Sequence, residues 1–412
     1  MRFTRFLLSC ALVLCVLSLT SVAGFAKDIV LGMSAAFSGP SRSLGIELYR
    51  GSSAYFNYVN RSGGIQGHMV RILPLDDGYN PTPALENTIR LLKDRNVLCL
   101  YNYVGTPTVT RVLPLLNTGQ ARDKLMFFPF TGAQSQRDYP YVRRVFNLRA
   151  SYRQEMQELV NRLSLVGRRR IAVLYQNDAY GRSGWDAVRR ALRTHRLDIV
   201  GEATYRRGAS FSDSMAEQVA IVTGRRPEAI VTVGSYEACA AFVRDARDAG
   251  VDVPIANLSF SCSESLLQLL LEAGQAKGRD YTANLINTQV VPDYRDRTLA
   301  AAQLYIQLMT ESPPAVPEGL KGDYIPLEYS YAGFEGFLNA VVMTHILRLQ
   351  YDRPGKPLEK IVEGIRDFDA GIDVTVTFGP DRHQGLNRVY FTTVKDGRFA
   401  PIDAEDWRQW LQ

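Results

Sequence analysis

Histidine, cysteine and tryptophan are scarce in this 412-residue chain, with 4, 5 and 3 copies. The histidines (His68, His195, His345, His383) stand far apart and no two cysteines form C-x-x-C, so a His/Cys metal site lacks its usual spacing. His345 falls inside an apolar helical stretch, where a satisfied core histidine is the ordinary reading. No G-x-x-x-x-G-K phosphate cradle occurs. Gly181-Arg182-Ser183-Gly184 stops one residue short of a nucleophile elbow, because Trp185 stands where the last glycine belongs. Low-complexity tracts, long single-sign charge runs and tandem repeats are missing as well. Catalysis, cofactor binding and metal binding therefore have no visible carrier, and the chain is expected not to be an enzyme.

Long apolar runs are also missing, except at the start. Arg2 and Arg5 precede an apolar stretch from Leu7 to Leu19, and small residues lead to Gly24-Phe25-Ala26. This is the pattern of a signal peptide cleaved after about Ala26, which implies export to the periplasm. The run is short for a membrane span. Cleavage would remove two arginines, taking 48 Lys+Arg to 46 against 42 Asp+Glu and the net charge from +6 to +4. The basic residues are scattered, with no aromatic-interleaved stripe, so nucleic acid is not an expected partner. Cys99, Cys239 and Cys262 would remain. Cys99 lies in an apolar run and reads as core. Cys239 and Cys262 each follow a candidate strand, and the sequence leaves open whether they form a disulfide.

The rest alternates strands and helices. Short apolar runs at Ile29–Leu31, Met69–Leu75, Val97–Val104 and Leu125–Phe130 predict strands, separated by helical spacing at 44–59 and 82–94. After Arg149 the rhythm restarts. Strands are predicted at 171–175, 199–205, 229–233 and 255–258, with helices at 151–165, 185–192, 211–223 and 236–249. Helices near 299–309 and 328–349 flank a Pro-rich loop, and strands at 374–378 and 389–394 close the chain. Two such runs predict an α/β protein of two doubly wound parallel-sheet lobes.

In such sheets ligands sit beyond the C-terminal strand ends. Those positions here carry Ser34–Ser38, Gly105-Thr106, Thr131-Gly132, Asp178–Gly181, Gly234-Ser235-Tyr236 and Ser259–Ser263. Hydroxyls and free backbone N–H groups suit an anionic head group, and Tyr180 and Tyr236 offer aromatic walls. Any single Ser or Thr here is more often a helix cap; the set from both halves carries the expectation.

At these residues the chain resembles the branched-chain amino-acid (Leu/Ile/Val-binding) family, the type I periplasmic solute-binding proteins of ABC transporters. Phe37-Ser38-Gly39-Pro40 with Gly45 is similar to its L-S-G-P…G opening, and Asn60–Gly67 to its N-x-x-G-G-I-x-G turn. Asp76-Asp77 with Asn80-Pro81, Asp178-Ala179-Tyr180-Gly181 and Ala246–Gly250 resemble further family elements, so the likeness runs from about residue 28 to 395. It implies a three-crossover hinge, with lobe one at 28–148 plus 287–373 and lobe two at 149–286 plus 374–412. It implies a small-molecule ligand held near Gly105, Thr106, Thr131, Gly132, Tyr180, Tyr236 and Ser259, and delivery by a monomer to a membrane ABC permease. The alternative is presentation of the ligand to a membrane sensor protein. One departure stands out. The acidic residue that holds the ligand ammonium in the family's amino-acid binders is replaced near Ser259 or Phe260, with Glu264, Asp178 and Glu237 out of register. An unpaired buried ammonium is costly, so amides and simple carboxylates join amino acids as candidates. Phe130, where the family is small, implies a reshaped pocket.

Overall fold

The computed structural model describes residues 27–121, 124–320 and 322–411. The segment expected to be cleaved, 1–26, lies outside them. Five strands form a first sheet in the order β2-β1-β3-β4-β5, every pair parallel: β1 Ile29–Ala35, β2 Val70–Asp76, β3 Val97–Tyr101, β4 Met126–Phe127 and β5 Val145–Phe146. A second sheet runs β14-β13-β10-β9-β8-β6-β7. Its members are β6 Ile171–Gln176, β7 Glu202–Tyr205, β8 Ala229–Val233, β9 Ile255–Asn257 and β10 Leu285–Gln289, all parallel, then β13 Tyr390–Lys395 and β14 Arg398–Pro401, added antiparallel. A small ribbon, β11 Phe368–Asp369 with β12 Thr375–Val376, precedes them. Parallel strands covered on both faces are mostly apolar, and β8 is buried at every position.

The chain crosses between the sheets three times, after β5, after β10 and after β12. The first and third crossings lie side by side: Asn147 N–H donates to the His383 carbonyl at 2.8 Å and Leu386 N–H to the Leu148 carbonyl at 2.9 Å. Strand pairing carries Asn287 to Gln289 wholly within the second sheet, so the second crossing begins beyond the boundary at 287 inferred from the family likeness. Helix starts follow local chemistry. Ser151 and Gln154 form a capping box for the helix Tyr152–Leu165, and Asp178 caps Ala179–Thr194.

Several elements differ from the sequence expectation. The helix expected from 211 begins at Ala216, since Phe211 and the residues after it turn to meet Glu237 and Asp245. Of the 125–130 run, Met126 and Phe127 form the strand, Phe128 has φ 53°, and Phe130 returns to make an isolated bridge with Val104. The helices Thr106–Val112 and Ser263–Lys277 and strand β10 carry no strong periodic signal and were not anticipated. The Cys239–Cys262 disulfide is not formed; Cys99, Cys239 and Cys262 are all free and buried. Cys262 points instead at Ser43 and Ser265, 3.4 and 3.5 Å away, and burial raises both thiols to about 12. Among the described residues no helix is long and apolar enough to cross a membrane.

The helices Arg42–Arg61 and Tyr331–Asp352 lie backbone to backbone in the first lobe. A Cβ on Gly51 would stand 1.7 Å from the Gly333 carbonyl oxygen, and one on Gly336 2.2 Å from that of Leu48. Neither neighbour is a flexible side chain. Gly51→Ala is therefore expected to cost about 1–3 kcal/mol or more, as overpacking does. A urea-unfolding midpoint unchanged from the unaltered protein would show that the helices separate freely.

Candidate ligand-binding cleft

Between the lobes, the loops at the strand ends bring a pair of hydroxyls together. Thr106 Oγ1 and Thr131 Oγ1 lie 2.6 Å apart, and Thr131 Oγ1 also accepts the Ala133 N–H at 3.2 Å. Tyr152 OH is 3.5 Å from Thr106 Oγ1. Two glycines admit the rings beside them. A Cβ on Gly105, whose φ is 104°, would come within 2.3 Å of the Tyr79 ring, and one on Gly132 within 2.4 Å of Tyr152. Only glycine permits the approach at both positions, and at Gly105 the backbone as well.

Aromatic rings from both lobes fill the space next to the hydroxyls. Phe260, from the loop after β9, stands 4.6 Å from Tyr180, 5.5 Å from Phe130 and 5.9 Å from Tyr79, measured between centroids. Tyr180 in turn lies 5.4 Å from Tyr152. Tyr79 and Phe130 belong to the first lobe, Tyr180 and Phe260 to the second, so Phe260 spans the division. Burial holds the Tyr79, Tyr152 and Tyr180 phenols above their usual range, so these hydroxyls stay neutral hydrogen-bonding groups.

A buried guanidinium borders this wall. Arg149, on the first crossing, is 2% exposed. Its Cζ sits 4.5 Å over the Phe130 ring, and Nη2 donates to Ser259 Oγ. Two carboxylates face it from opposite lobes: Glu335 Oε1 at 3.7 Å from Nε, and Glu155 Oε1 at 3.8 Å from Nη2. Glu155 Oε2 is engaged by the Thr288 hydroxyl at 2.6 Å and the Ser259 N–H at 3.1 Å. Burial lifts the Glu335 carboxyl to about 7, against the opposing pull of Arg149.

The structure thus brings Gly105, Thr106, Thr131, Gly132, Tyr180 and Ser259 into one buried cluster at the lobe boundary. Tyr236 stands apart, turned toward Ser43 and Arg42. The three acids nearest the place of the missing carboxylate are engaged elsewhere. Asp178 accepts the Tyr180 N–H at 2.9 Å and pairs with Arg207 at 3.5 Å; Glu237 accepts the Phe211 N–H at 3.0 Å; Glu264 accepts the Tyr331 N–H at 3.1 Å. Sequence reasoning missed Tyr79, Tyr152, Arg149, Glu155 and Glu335. Glu335 did leave a trace, as a lone acid in the apolar run from Tyr331 to Leu347.

A profile described as periplasmic binding protein matches residues 28–398. A solved structure of a possible leucine/isoleucine/valine-binding protein from Rhodopirellula baltica superposes with a TM-score of 0.80 at 27% identity, covering 94% of this chain and 99% of that one. A substrate-binding periplasmic protein from Ralstonia solanacearum gives 0.76 at 26% identity, covering 89% and 98%. The Leu/Ile/Val-binding protein of Escherichia coli is 23% identical over 188 residues, 45% of this chain and 50% of that protein. The chain spans about half the length of the curated relatives it matches.

Glu335 gives the fold a pH dependence whose sign is fixed. Its carboxyl rises from 4.5 to about 7 on folding, so its contribution is full below about pH 4.5 and is lost as pH rises through 7. The full shift corresponds to at most about 3 kcal/mol. Glu335→Gln should flatten that part of the stability profile between pH 4.5 and 7, measured by urea unfolding. An unchanged slope would mean that Glu335 titrates as an ordinary carboxyl.

Proposed function

Because the chain belongs to the periplasmic binding protein family, on its branched-chain amino-acid branch, we propose that it captures a small carboxylate with an apolar body and delivers it to an ABC permease. The supporting observation is the pairing of Thr106 and Thr131, 2.6 Å apart beneath a wall of aromatic rings. Two hydroxyls and the adjoining backbone N–H groups can donate to a carboxylate, and the rings accept an alkyl or aryl body. An α-ammonium would need an acid of its own, and Asp178, Glu237 and Glu264 are already engaged. On this reading the body of the ligand is set by Phe130 and Phe260.

Capture proceeds by closure. The ligand contacts both walls only when the lobes shut, so binding shifts the population toward the shut form, which a membrane partner then recognises. Nothing in the cycle requires the ligand to be altered, and the protein is not an enzyme on this reading. Its setting is the periplasm, reached by way of the segment at 1–26.

A thermal-shift panel of amino acids, amides, and aliphatic and aromatic carboxylates tests the ligand class. At about 100 times Kd a ligand that binds only the folded form adds about 2.7 kcal/mol of stability. Simple carboxylates should raise the melting temperature, and Thr106→Val with Thr131→Val should weaken them by about tenfold or more. A response confined to amino acids, or one untouched by the two substitutions, would overturn this assignment.

A further inference from the structure

A cavity of ≈ 980 Å³ lies at the second crossing, away from the Thr106–Thr131 site. Its walls come from three places: the crossing itself (Asp293 to Arg297), helix Ala300–Glu311 of the first lobe, and β14 of the second. From this geometry we infer a second binding site, one for an amphipathic anion with an apolar body and a single carboxylate head.

The site has an apolar half. Tyr294, Ile306, Tyr329, Phe399 and Pro401 line it, and the volume is at the upper end of the range of about 300–1,000 Å³ usual for small-molecule pockets. The cationic half is made by Arg295, Arg297 and Arg398. Arg295 lies 4.5 Å over the Tyr294 ring and donates to the Phe399 carbonyl at 3.3 Å, so crossing and strand are tied together at the cavity. Arg297 and Arg398 carry no side-chain hydrogen bond or ion pair among the described residues.

Two acids also line the cavity, but both are engaged. Asp296 accepts the Thr298 N–H and hydroxyl at 2.8 and 2.6 Å, which holds its carboxyl below the usual range. Asp293 accepts the Arg295 N–H at 3.0 Å and the Tyr331 hydroxyl at 3.4 Å. Three guanidiniums against two committed carboxylates leave the site net cationic, with fork-shaped donors that suit a carboxylate. The Tyr294 hydroxyl is buried beside the Glu264 carboxyl, so the head group is left to the guanidiniums. An occupant here touches both lobes and the crossing, so its binding is linked to the interlobe angle and hence to the first site.

Decanoate, decylammonium and inorganic phosphate, titrated by calorimetry into the full chain, separate the two halves of the site. Decanoate should bind with one-to-one stoichiometry, while decylammonium lacks the charge and phosphate lacks the body. The titration is repeated in Arg297→Glu with Arg398→Glu, both exposed positions whose reversal does not threaten folding, and in Thr106→Val with Thr131→Val. Loss of decanoate affinity by about tenfold or more in the arginine pair alone supports the site. Loss in the threonine pair alone would assign decanoate to the cleft. Equal binding of decylammonium, binding unchanged by the arginine reversal, or no binding by any probe would overturn the inference.

Discussion

Burying the Arg149 guanidinium would cost several kcal/mol if no carboxylate faced it, and the carboxylates that do face it arrive from different lobes. Glu155 is held in place by Thr288 and Ser259 of the second lobe, while Glu335 sits on the long helix that packs against Arg42–Arg61 in the first. Arg149 itself lies on a crossing and belongs to neither body. Opening the lobes must therefore separate at least one carboxylate from it, or let water reach the cluster. The raised carboxyl of Glu335 shows that the balance is close: desolvation outweighs the attraction, though the guanidinium opposes it. A contact of this kind holds the lobes together without making closure irreversible.

The aromatic wall depends on the same residue. Arg149 stacks on Phe130 and binds Ser259, which fixes the loop that carries Phe260. Phe260 then reaches Tyr79, Phe130 and Tyr180 at once. Charge and apolar packing thus act on one loop.

Much of this was legible in the sequence. Apolar runs of three to eight residues between helical stretches announced two parallel sheets, and the Gly-Thr and Thr-Gly steps at strand ends marked the hydroxyl pair. What escaped was whatever depends on distant segments meeting. Arg149 and Glu335 are 186 positions apart and read separately as an ordinary arginine and a stray helical acid. Cys239 and Cys262, each just after a strand, looked able to meet, yet Cys262 turns toward Ser43 across the lobe boundary. Strand β10 was missed because Leu285–Gln289 mixes Asn, Thr and Gln into a buried strand, where those side chains bond to Asn257, Glu155 and Ser263. Polar groups satisfied only by tertiary partners leave no period to read.

The most direct test of the Arg149 account is small-angle X-ray scattering of Arg149→Met beside the unaltered protein, both shown to be folded by circular dichroism. Without the guanidinium, Glu155 and Glu335 are left facing each other across the cleft, and separating the lobes becomes the cheaper state. The account predicts a larger radius of gyration for the variant, and for the unaltered protein a curve that fits the shut lobes. Superimposable curves would contradict it and would assign closure to the aromatic contacts alone.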